Sequence, residues 1–201
     1  MIKSIELPFN RVRFTSDIHF NHKSLSERRG FKTVEEMNNE IIWRWNLTVP
    51  TNVTVFILGD VSMSNNVECT LELLNRLNGT LILVRGNHDK PMKKAVLDRF
   101  DGVYDLLTVK VELEDEKVGL QRIVCCHYPM LVWDRAHFGA WHFHGHSHGS
   151  AQYPNQKAKI LDVGMDCHSF APIGFNYANN IMKNREIVVL DHHKIKQESG
   201  V

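Results

Sequence analysis

Five apolar segments of this chain each run into a loop that carries aspartate, asparagine or histidine, and this repeat is the strongest constraint on its fold. Segments of four to six mostly apolar residues suit β-strands that are covered on both faces. When such strands run parallel, the loops at their carboxyl ends meet at one edge of the sheet. The pattern therefore predicts an α/β fold with a polar site at that edge. The five segments are residues 12–15, 53–58, 81–84, 123–126 and 141–144.

Sequence features that are typical of helix starts lie between the first predicted strands. Thr33 and Glu36 form a capping box ahead of apolar residues at helical spacing. A second helix is expected to begin at Ser64 or Asn66, and a third at Pro91, because proline suits a first helical turn. Strands that alternate with helices are typical of parallel sheets covered by helices.

The second half of the chain predicts more antiparallel structure. Residues 104–113 and 119–126 are expected to form a hairpin around the acidic turn 114–117. Later strands are expected at residues 159–163 and 186–190. The two halves together indicate a core of two β-sheets flanked by helices.

Composition fits one soluble domain, since 43% of the 201 residues are hydrophobic and 23% are charged. We expect a single domain over residues 1–201, with residues 191–201 as a polar tail. A chain of this length folds without disulfides or a structural metal, so a bound metal would serve chemistry. The four cysteines lack the spacing of a disulfide framework, and no segment is apolar enough for a leader or a membrane span. These features predict a cytoplasmic protein.

The polar loops concentrate groups that bind metal ions. Residues two positions apart in an extended segment point to the same side, so Asp17 with His19, and His146 with His148, are placed to hold one ion or two neighbouring ions. Imidazole with carboxylate and amide oxygens, without thiolate, favours Mn, Fe, Zn, Co or Ni over Ca or Mg. Each short motif alone is ordinary loop sequence. The remaining candidates are Asp60, Asn87, His88, Asp89 and His127.

Taken together, the motifs resemble those of the calcineurin-like metallophosphoesterases, in which Asp-x-His, Gly-Asp, Gly-Asn-His-Asp/Glu, His and Gly-His-x-His occur in this order. All five blocks are present between Asp17 and His148. Residues 14–22, 36–46 and 127–129 are similar to a small bacterial and phage branch of that superfamily. The resemblance implies a four-layer sandwich of two mixed β-sheets flanked by helices, with two metal ions at one edge.

The same resemblance implies a role for each motif residue. The implied ligands are Asp17, His19 and His148 of one ion, Asn87, His127 and His146 of the other, and Asp60 as the bridge between them. A hydroxide between the ions would attack a phosphate ester, with His88 as general acid and Asp89 orienting its ring. Mn²⁺ is the expected metal, with Fe, Zn, Ni or Co as alternatives.

We therefore predict a dinuclear metal-dependent phosphoesterase that acts on a small phosphodiester or a nucleotide, including a cyclic nucleotide. Residues 61–63 and Asp89 depart from the Asp-Arg-Gly and Glu of protein Ser/Thr phosphatases, which disfavours a phosphoprotein substrate. A net charge of +1 indicates neither a duplex nucleic acid nor an anionic membrane as partner. His22 and Arg29, in the basic segment after the first block, are expected to contribute to substrate selection.

Three alternatives stay open at this point. The enzyme would be a nuclease on single-stranded or structured nucleic acid, or a phosphomonoesterase, if the rim of the site selects those substrates. A non-catalytic binding module with the same fold is disfavoured, because such relatives usually lack several motif residues and this chain has them all. The sequence does not predict an oligomeric state.

Overall fold

The structure, a computed structural model, describes residues 2–113 and 119–189. The strands are β1 (Lys3–Pro8), β2 (Val12–Thr15), β3 (Thr54–Ile57), β4 (Thr80–Val84), β5 (Gly102–Tyr104), β6 (Leu107–Glu112), β7 (Leu120–Cys125), β8 (Trp141–His144), β9 (Ile160–Asp162) and β10 (Ile173–Gly174). The helices are α1 (Lys23–Arg28), α2 (Val34–Thr48), α3 (Val67–Asn75), α4 (Lys94–Leu97) and α5 (Phe175–Met182).

The strands form two five-stranded mixed sheets, in the orders β1-β6-β7-β8-β9 and β10-β2-β3-β4-β5. In the second sheet β2, β3, β4 and β5 run parallel and β10 is antiparallel to β2. In the first sheet β7, β8 and β9 run parallel, and β6 pairs with β7 in the antiparallel direction. The predicted fold of two mixed sheets flanked by helices is thus confirmed.

Strand β3 shows why its sequence is apolar at every position after Thr54. Phe56 belongs to the core between the two sheets. There the ring centroid of Phe14 on β2 lies 5.4 Å from that of Phe56 and 4.9 Å from that of Phe143 on β8. Its neighbours Val55 and Ile57 point to the opposite face and join a second core under α2 and α3. Because successive residues of a strand face opposite sides, a strand between two cores needs apolar residues at every position.

Helix starts follow the capping signals at two of the three predicted positions. Thr33 Oγ1 accepts a hydrogen bond from the Glu36 amide at 3.1 Å, and Asn66 caps α3 through the Cys69 amide at 3.0 Å. The third helix begins at Lys94 instead of Pro91, because the chain first makes a turn in which the Met92 amide donates to the Asp89 carbonyl. Across residues 2–113 and 119–189, no helix is long and apolar enough to cross a membrane.

The later predictions are correct in part. The hairpin is formed by β6 and β7, but Tyr104, the first residue of its expected first arm, belongs to β5, which pairs with β4 in the other sheet. Within residues 186–189, Glu186 makes an isolated bridge to Ala158 instead of the expected strand. The acidic turn 114–117 and the tail 191–201 lie outside the described residues.

His142 on β8 couples the fold to pH. The buried ring donates from Nδ1 to the Val124 carbonyl at 2.9 Å and accepts at Nε2 from the Met130 amide at 3.0 Å. Burial lowers the pKa of His142 to about 4. A histidine in the unfolded chain titrates near 6.5, so the unfolded state takes up this proton first. The resulting stability is complete above about pH 6.5 and is lost as the pH falls towards about 4, by up to about 1.4 kcal/mol per pH unit.

We expect His142→Gln to lower the free energy of unfolding at pH 7.5 and to remove this part of its pH dependence. Urea unfolding of the wild type and the variant between pH 4.5 and 7.5 measures the difference, in which the other histidines cancel. Parallel pH profiles for the two proteins would contradict the assignment.

Candidate metal centre

The polar loops after β2, β3, β4, β7 and β8 meet at one edge of the molecule. The loop after β2 is joined to the loop after β3, since the Asp17 amide donates to the Gly59 carbonyl at 3.0 Å and the His19 amide to the Asp60 carbonyl at 2.9 Å. Ser16 forms a parallel bridge with Gly164, which connects the ends of the two sheets. Both sheets therefore supply side chains to the same site.

Asp17, His19 and His148 form the first donor group, with one ligand atom from each lying within 4.8 Å of the others. His19 Nε2 and His148 Nε2 each lie 3.9 Å from Asp17 Oδ1. Atoms that share an ion at about 2.1 Å lie roughly 3–4 Å apart, so these distances fit a common ion.

Asp60, His127 and His146 form the second donor group under the same distance limit. Asn87 joins it, because its Oδ1 lies 3.0 Å from His127 Nε2 and 3.1 Å from His146 Nδ1. Asp60 Oδ2 lies 3.5 Å from His127 Nε2 and 3.7 Å from His19 Nε2 of the first group. This oxygen therefore stands between the two groups, where a bridging carboxylate belongs.

His19 gives the most direct indication that metal ions fit here. Both of its ring nitrogens are buried, and neither has a hydrogen-bond partner within the described part of the chain. Buried polar atoms in native proteins are nearly always satisfied, so an imidazole in this state requires a ligand of its own. A divalent cation coordinated by His19 Nε2 and the neighbouring carboxylates would satisfy that nitrogen.

Burial sets the charge state of the donors. It raises the pKa of Asp17 to about 7 and lowers the pKa of His19 to about 2. Burial also lowers the pKa of His127, whose Nδ1 donates to the Leu58 carbonyl at 2.7 Å. The two imidazoles are therefore held neutral, and the Leu58 carbonyl leaves His127 Nε2 unprotonated and available as a ligand.

Glycines precede the donors where the chains approach most closely. A Cβ on Gly86 would lie 2.8 Å from the Asp60 amide nitrogen and 2.9 Å from His127 Cε1. A Cβ on Gly145 would overlap the Ser16 side chain and lie 2.5 Å from Asp17 Oδ2. The Gly-Asn-His-Asp and Gly-His-x-His motifs thus require glycine because any side chain would displace the buried carboxylates.

Five of the candidate ligands adopt left-handed backbone conformations. Their φ angles are 55° at Asp17, 53° at His19, 57° at Asp60, 67° at His146 and 47° at His148. This region is uncommon for residues other than glycine and costs free energy that the surrounding structure must supply. The loops therefore hold strained backbone in order to aim these side chains at a common point.

His146 permits a test of this strain because its side chain is exposed. We expect His146→Gly to exceed His146→Ala in stability by about 1 kcal/mol in metal-free protein, since both remove the imidazole but only glycine adopts a positive φ without a Cβ penalty. Denaturant unfolding in EDTA measures the difference. Equal stabilities would show that the loop relaxes without cost.

Asp89 makes contacts different from those expected. Its Oδ2 accepts from the amides of Asp60 and Gly86 at 2.8 Å each, and its Oδ1 accepts from the Val61 amide at 3.0 Å. The carboxylate is buried and faces the backbone of the Asp60 loop instead of the His88 ring. Asp89 thus shapes the loop that presents Asp60, because three amide donors occupy the oxygens that were expected to orient His88.

His88 lies at the border between the donor groups and an open cavity. Its side chain is 41% exposed, and its Nε2 lies 3.9 Å from Asp60 Oδ2. The adjoining cavity of about 340 Å³ has room for a small organic group. Residues that line it include Ser62, Met63, Asn65, Thr70, Asn87 and Met92.

The two residues expected to select substrate occupy different environments. His22 caps α1 by accepting from the Leu25 amide at 3.3 Å, and its ring centroid lies 5.4 Å from that of His19. The Arg29 side chain is only 2% exposed, and all five of its N–H donors are engaged by protein atoms. His22 therefore lies beside the centre, whereas Arg29 retains no donor for a substrate.

Sequence reasoning missed two acidic residues of this edge. Asp162, at the end of β9, accepts from Ser147 Oγ at 2.9 Å and from the Gly149 amide at 2.8 Å, which supports the loop of His146 and His148. Asp166 accepts a hydrogen bond from His148 Nδ1 at 2.6 Å. Asp162 lies inside the strand expected at residues 159–163, so the signal that identified the other loops, a polar residue directly after a strand, does not single it out.

Two mixed sheets with paired Asp and His donors at their strand ends are the arrangement of a dinuclear metal site. The chain belongs to the calcineurin-like phosphoesterase family, whose sequence model matches residues 10–194. Membership of this family implies metal-dependent hydrolysis of phosphate esters and a pair of divalent ions at the two donor groups.

Similar proteins come from archaea, phages and bacteria. An uncharacterized protein of Methanocaldococcus jannaschii is 29% identical over 90% of this chain and 97% of its own length. The gene 66 protein of Mycobacterium phage L5 is 28% identical over 94% of this chain and 97% of its own length. The crystal structure of a protein of unknown function from Aquifex aeolicus is 22% identical with a TM-score of 0.65, and covers 85% of this chain and 98% of its own. That structural similarity supports the fold alone.

Proposed function

We propose that this protein hydrolyses a small phosphodiester or a nucleotide, using two divalent metal ions and His88 as the general acid. The observation that carries the proposal is the position of Asp60 Oδ2 between His19 and His127, which links the two donor groups. A carboxylate shared by two groups is the feature that turns two separate metal sites into one dinuclear centre.

The donor set indicates which residues hold each ion. The proposed ligands are Asp17, His19 and His148 for the first ion, Asn87, His127 and His146 for the second, and Asp60 for both. Nitrogen and oxygen donors of this kind suit Mn²⁺, and we propose it as the metal, with Fe, Zn, Ni or Co also compatible. When bound, the ions supply a nucleophilic water at neutral pH and positive charge for the phosphoryl oxygens.

We assign to His88 the proton that the leaving group takes up. Its ring is half-exposed to the cavity, and the backbone is fixed by the bond from the His88 amide to Asp60 Oδ1 at 2.9 Å. The His88 ring centroid lies 5.5 Å from that of His19 in the first donor group, and His88 is also one of the residues that line the cavity. A phosphate at the donor groups would therefore direct its leaving oxygen past His88, and the attached organic group into the cavity.

The walls of the cavity support a small and mostly uncharged leaving group. Hydroxyl and amide side chains such as Thr70 and Asn65 line it together with Met63 and Met92, and its lining also includes Lys93. The His22 ring centroid lies 5.4 Å from that of His19, on which the part of the substrate that remains on the phosphate would border. We propose a substrate contact for His22 on this ground.

A substrate screen on metal-reconstituted enzyme tests the proposal. The panel contains phosphomonoesters, linear diesters, 2′,3′- and 3′,5′-cyclic nucleotides, and labelled single-stranded oligonucleotides, each with Mn²⁺ and with EDTA. We expect metal-dependent turnover that is fastest for small diesters or nucleotides. Preference for oligonucleotides or for monoesters would replace the proposed substrate class, and no turnover of any ester by protein that binds two ions would overturn the proposal.

A further inference from the structure

We propose that Arg29 and Asp166 are positioning residues that assemble the first donor group and thereby set the affinity of one metal ion separately from the other. This inference rests on the proposed function, because it assigns the first donor group to an ion. It also gives the buried Arg29 a role other than substrate contact.

Asp166 determines how the His148 ring is presented. Its Oδ2 lies 2.6 Å from His148 Nδ1, and a carboxylate in this position requires that nitrogen to carry a proton. His148 Nε2 is then the nitrogen that faces Asp17 Oδ1 at 3.9 Å. The hydrogen bond therefore selects both the ring orientation and the nitrogen that is free to bind an ion.

Arg29 holds Asp166 in place through a two-pronged ion pair. Its Nε donates to Asp166 Oδ1 at 2.8 Å and its Nη2 to Asp166 Oδ2 at 2.7 Å, across a sequence separation of 137 positions. The planar guanidinium matches both carboxylate oxygens at once, which fixes the carboxylate in rotation as well as position. Burial of the Arg29 side chain keeps solvent from competing for these bonds.

The same guanidinium also holds the chain that carries the other two donors. Its Nη2 donates to the Asp17 carbonyl at 2.7 Å and its Nη1 to the Ile18 carbonyl at 2.9 Å. These carbonyls belong to the segment in which Asp17 and His19 adopt positive φ. Arg29 therefore joins Asp17, His19 and, through Asp166, His148, which are the three members of the first donor group.

The second donor group is supported by other residues. The Leu58 carbonyl orients His127, and Asp89 holds the loop of Asp60 through backbone amides. Loss of the hydrogen bonds of Arg29 and Asp166 should therefore lower the affinity for the ion at the first donor group and leave the affinity for the other ion nearly unchanged. Changes to residues that orient metal ligands typically reduce metal affinity by about 10–100-fold.

The experiment compares Asp166→Asn and Arg29→Lys with the wild type by calorimetric titration of Mn²⁺ into metal-free protein, together with Mn²⁺ electron paramagnetic resonance. Asparagine keeps the shape of Asp166 but cannot accept from Arg29 Nε, Arg29 Nη2 and His148 Nδ1 at once. Lysine keeps the charge of Arg29 but lacks the planar guanidinium that donates to both carboxylate oxygens. We expect two binding events in the wild type and in each variant. In the variants, the dissociation constant of one event should be about 10–100-fold higher than in the wild type, and that of the other should change less than about 3-fold. The spin coupling between paired ions should disappear at low Mn²⁺ concentration in the variants.

Arg44→Met is the matched control. Arg44 also lies over the Phe170 ring, 5.7 Å from its centroid compared with 5.4 Å for Arg29, and it donates to the nearby Ser169 carbonyl at 2.8 Å. Its side chain is 35% exposed and its salt bridge is to Glu40, so its loss should leave both binding events unchanged.

The outcomes separate this inference from the proposed function. Wild-type protein that binds no ions would contradict the proposed function itself. Wild-type protein that binds two ions, with Asp166→Asn weakening both sites equally or neither, would overturn only the positioning role. Circular dichroism and thermal unfolding of the metal-free variants establish that they are folded, and if Arg29→Lys does not fold, the result for Asp166→Asn decides.

Discussion

Replacement of His88 by asparagine is expected to slow the hydrolysis of alkyl phosphate esters by about 10²–10⁴-fold and to affect aryl phosphate esters much less. An alkoxide is a poor leaving group and needs a proton as the bond to phosphorus breaks, whereas an aryl oxide leaves without one. The half-exposed His88 ring, at the border of the donor groups and the cavity, is placed to provide this proton. The measurement is kcat/KM for a nucleoside ester and a p-nitrophenyl ester of the same phosphate.

His22→Asn is the matched control for this prediction. His22 lies next to His19 as His88 does, with ring centroids 5.4 and 5.5 Å from that of His19, but the structure places it at the start of α1. Its loss should change the rates of both esters by the same factor. Equal losses for the two esters in His88→Asn, with metal content unchanged, would remove the role of general acid.

Asp60→Asn is expected to abolish metal occupancy together with activity. The substitution keeps the shape of the side chain but removes the negative charge between His19 and His127, and a neutral amide oxygen is a weaker ligand for two cations than a carboxylate oxygen. Each site adds about 2.7 kcal/mol of stability at a free ion concentration of about 100 Kd. In a domain of about 200 residues, two sites therefore raise Tm by about 10–20 °C. We expect this rise with Mn²⁺ in the wild type and almost none in Asp60→Asn.

Asp98→Asn is the matched control for the loss of one carboxylate. Asp98 is exposed and pairs with Lys94 on α4, so its substitution should preserve the Mn²⁺-dependent rise in Tm. Calorimetric scans with Mn²⁺ and with EDTA, and metal analysis after gel filtration, check both variants. An Asp60→Asn protein that retained two ions and full turnover would contradict the bridging role.

Local physical chemistry explains which elements the sequence predicts well. The segment 53–58 is apolar at every position except Thr54 because β3 lies between two cores. Thr33 and Asn66 cap helices through hydrogen bonds made within their own first turns. Pro91 does not mark the start of α4, because the Met92 amide donates to the Asp89 carbonyl in a turn that precedes the helix. Strand β1 was missed because half of its residues are exposed and its pairing partner β6 lies about 100 positions away.

The identity and order of the donors are properties of the sequence alone. Aspartate, asparagine and histidine at the ends of apolar strands predict a metal site, since parallel strands bring their carboxyl ends to one edge whatever the details of packing. The motifs of Asp17, Asp60, Asn87, His127 and His146 could be recognised for this reason.

Only the tertiary structure decided what the supporting side chains contact. Asp89 follows His88 in sequence yet bonds to the Asp60 loop, and Arg29 lies in a basic segment yet is buried against Asp166. The direction of a long or ionised side chain depends on which partners the fold brings within about 3 Å, because a buried charge must be satisfied by whatever donors or acceptors surround it. Those partners come from positions distant in the chain, so no local pattern specifies them.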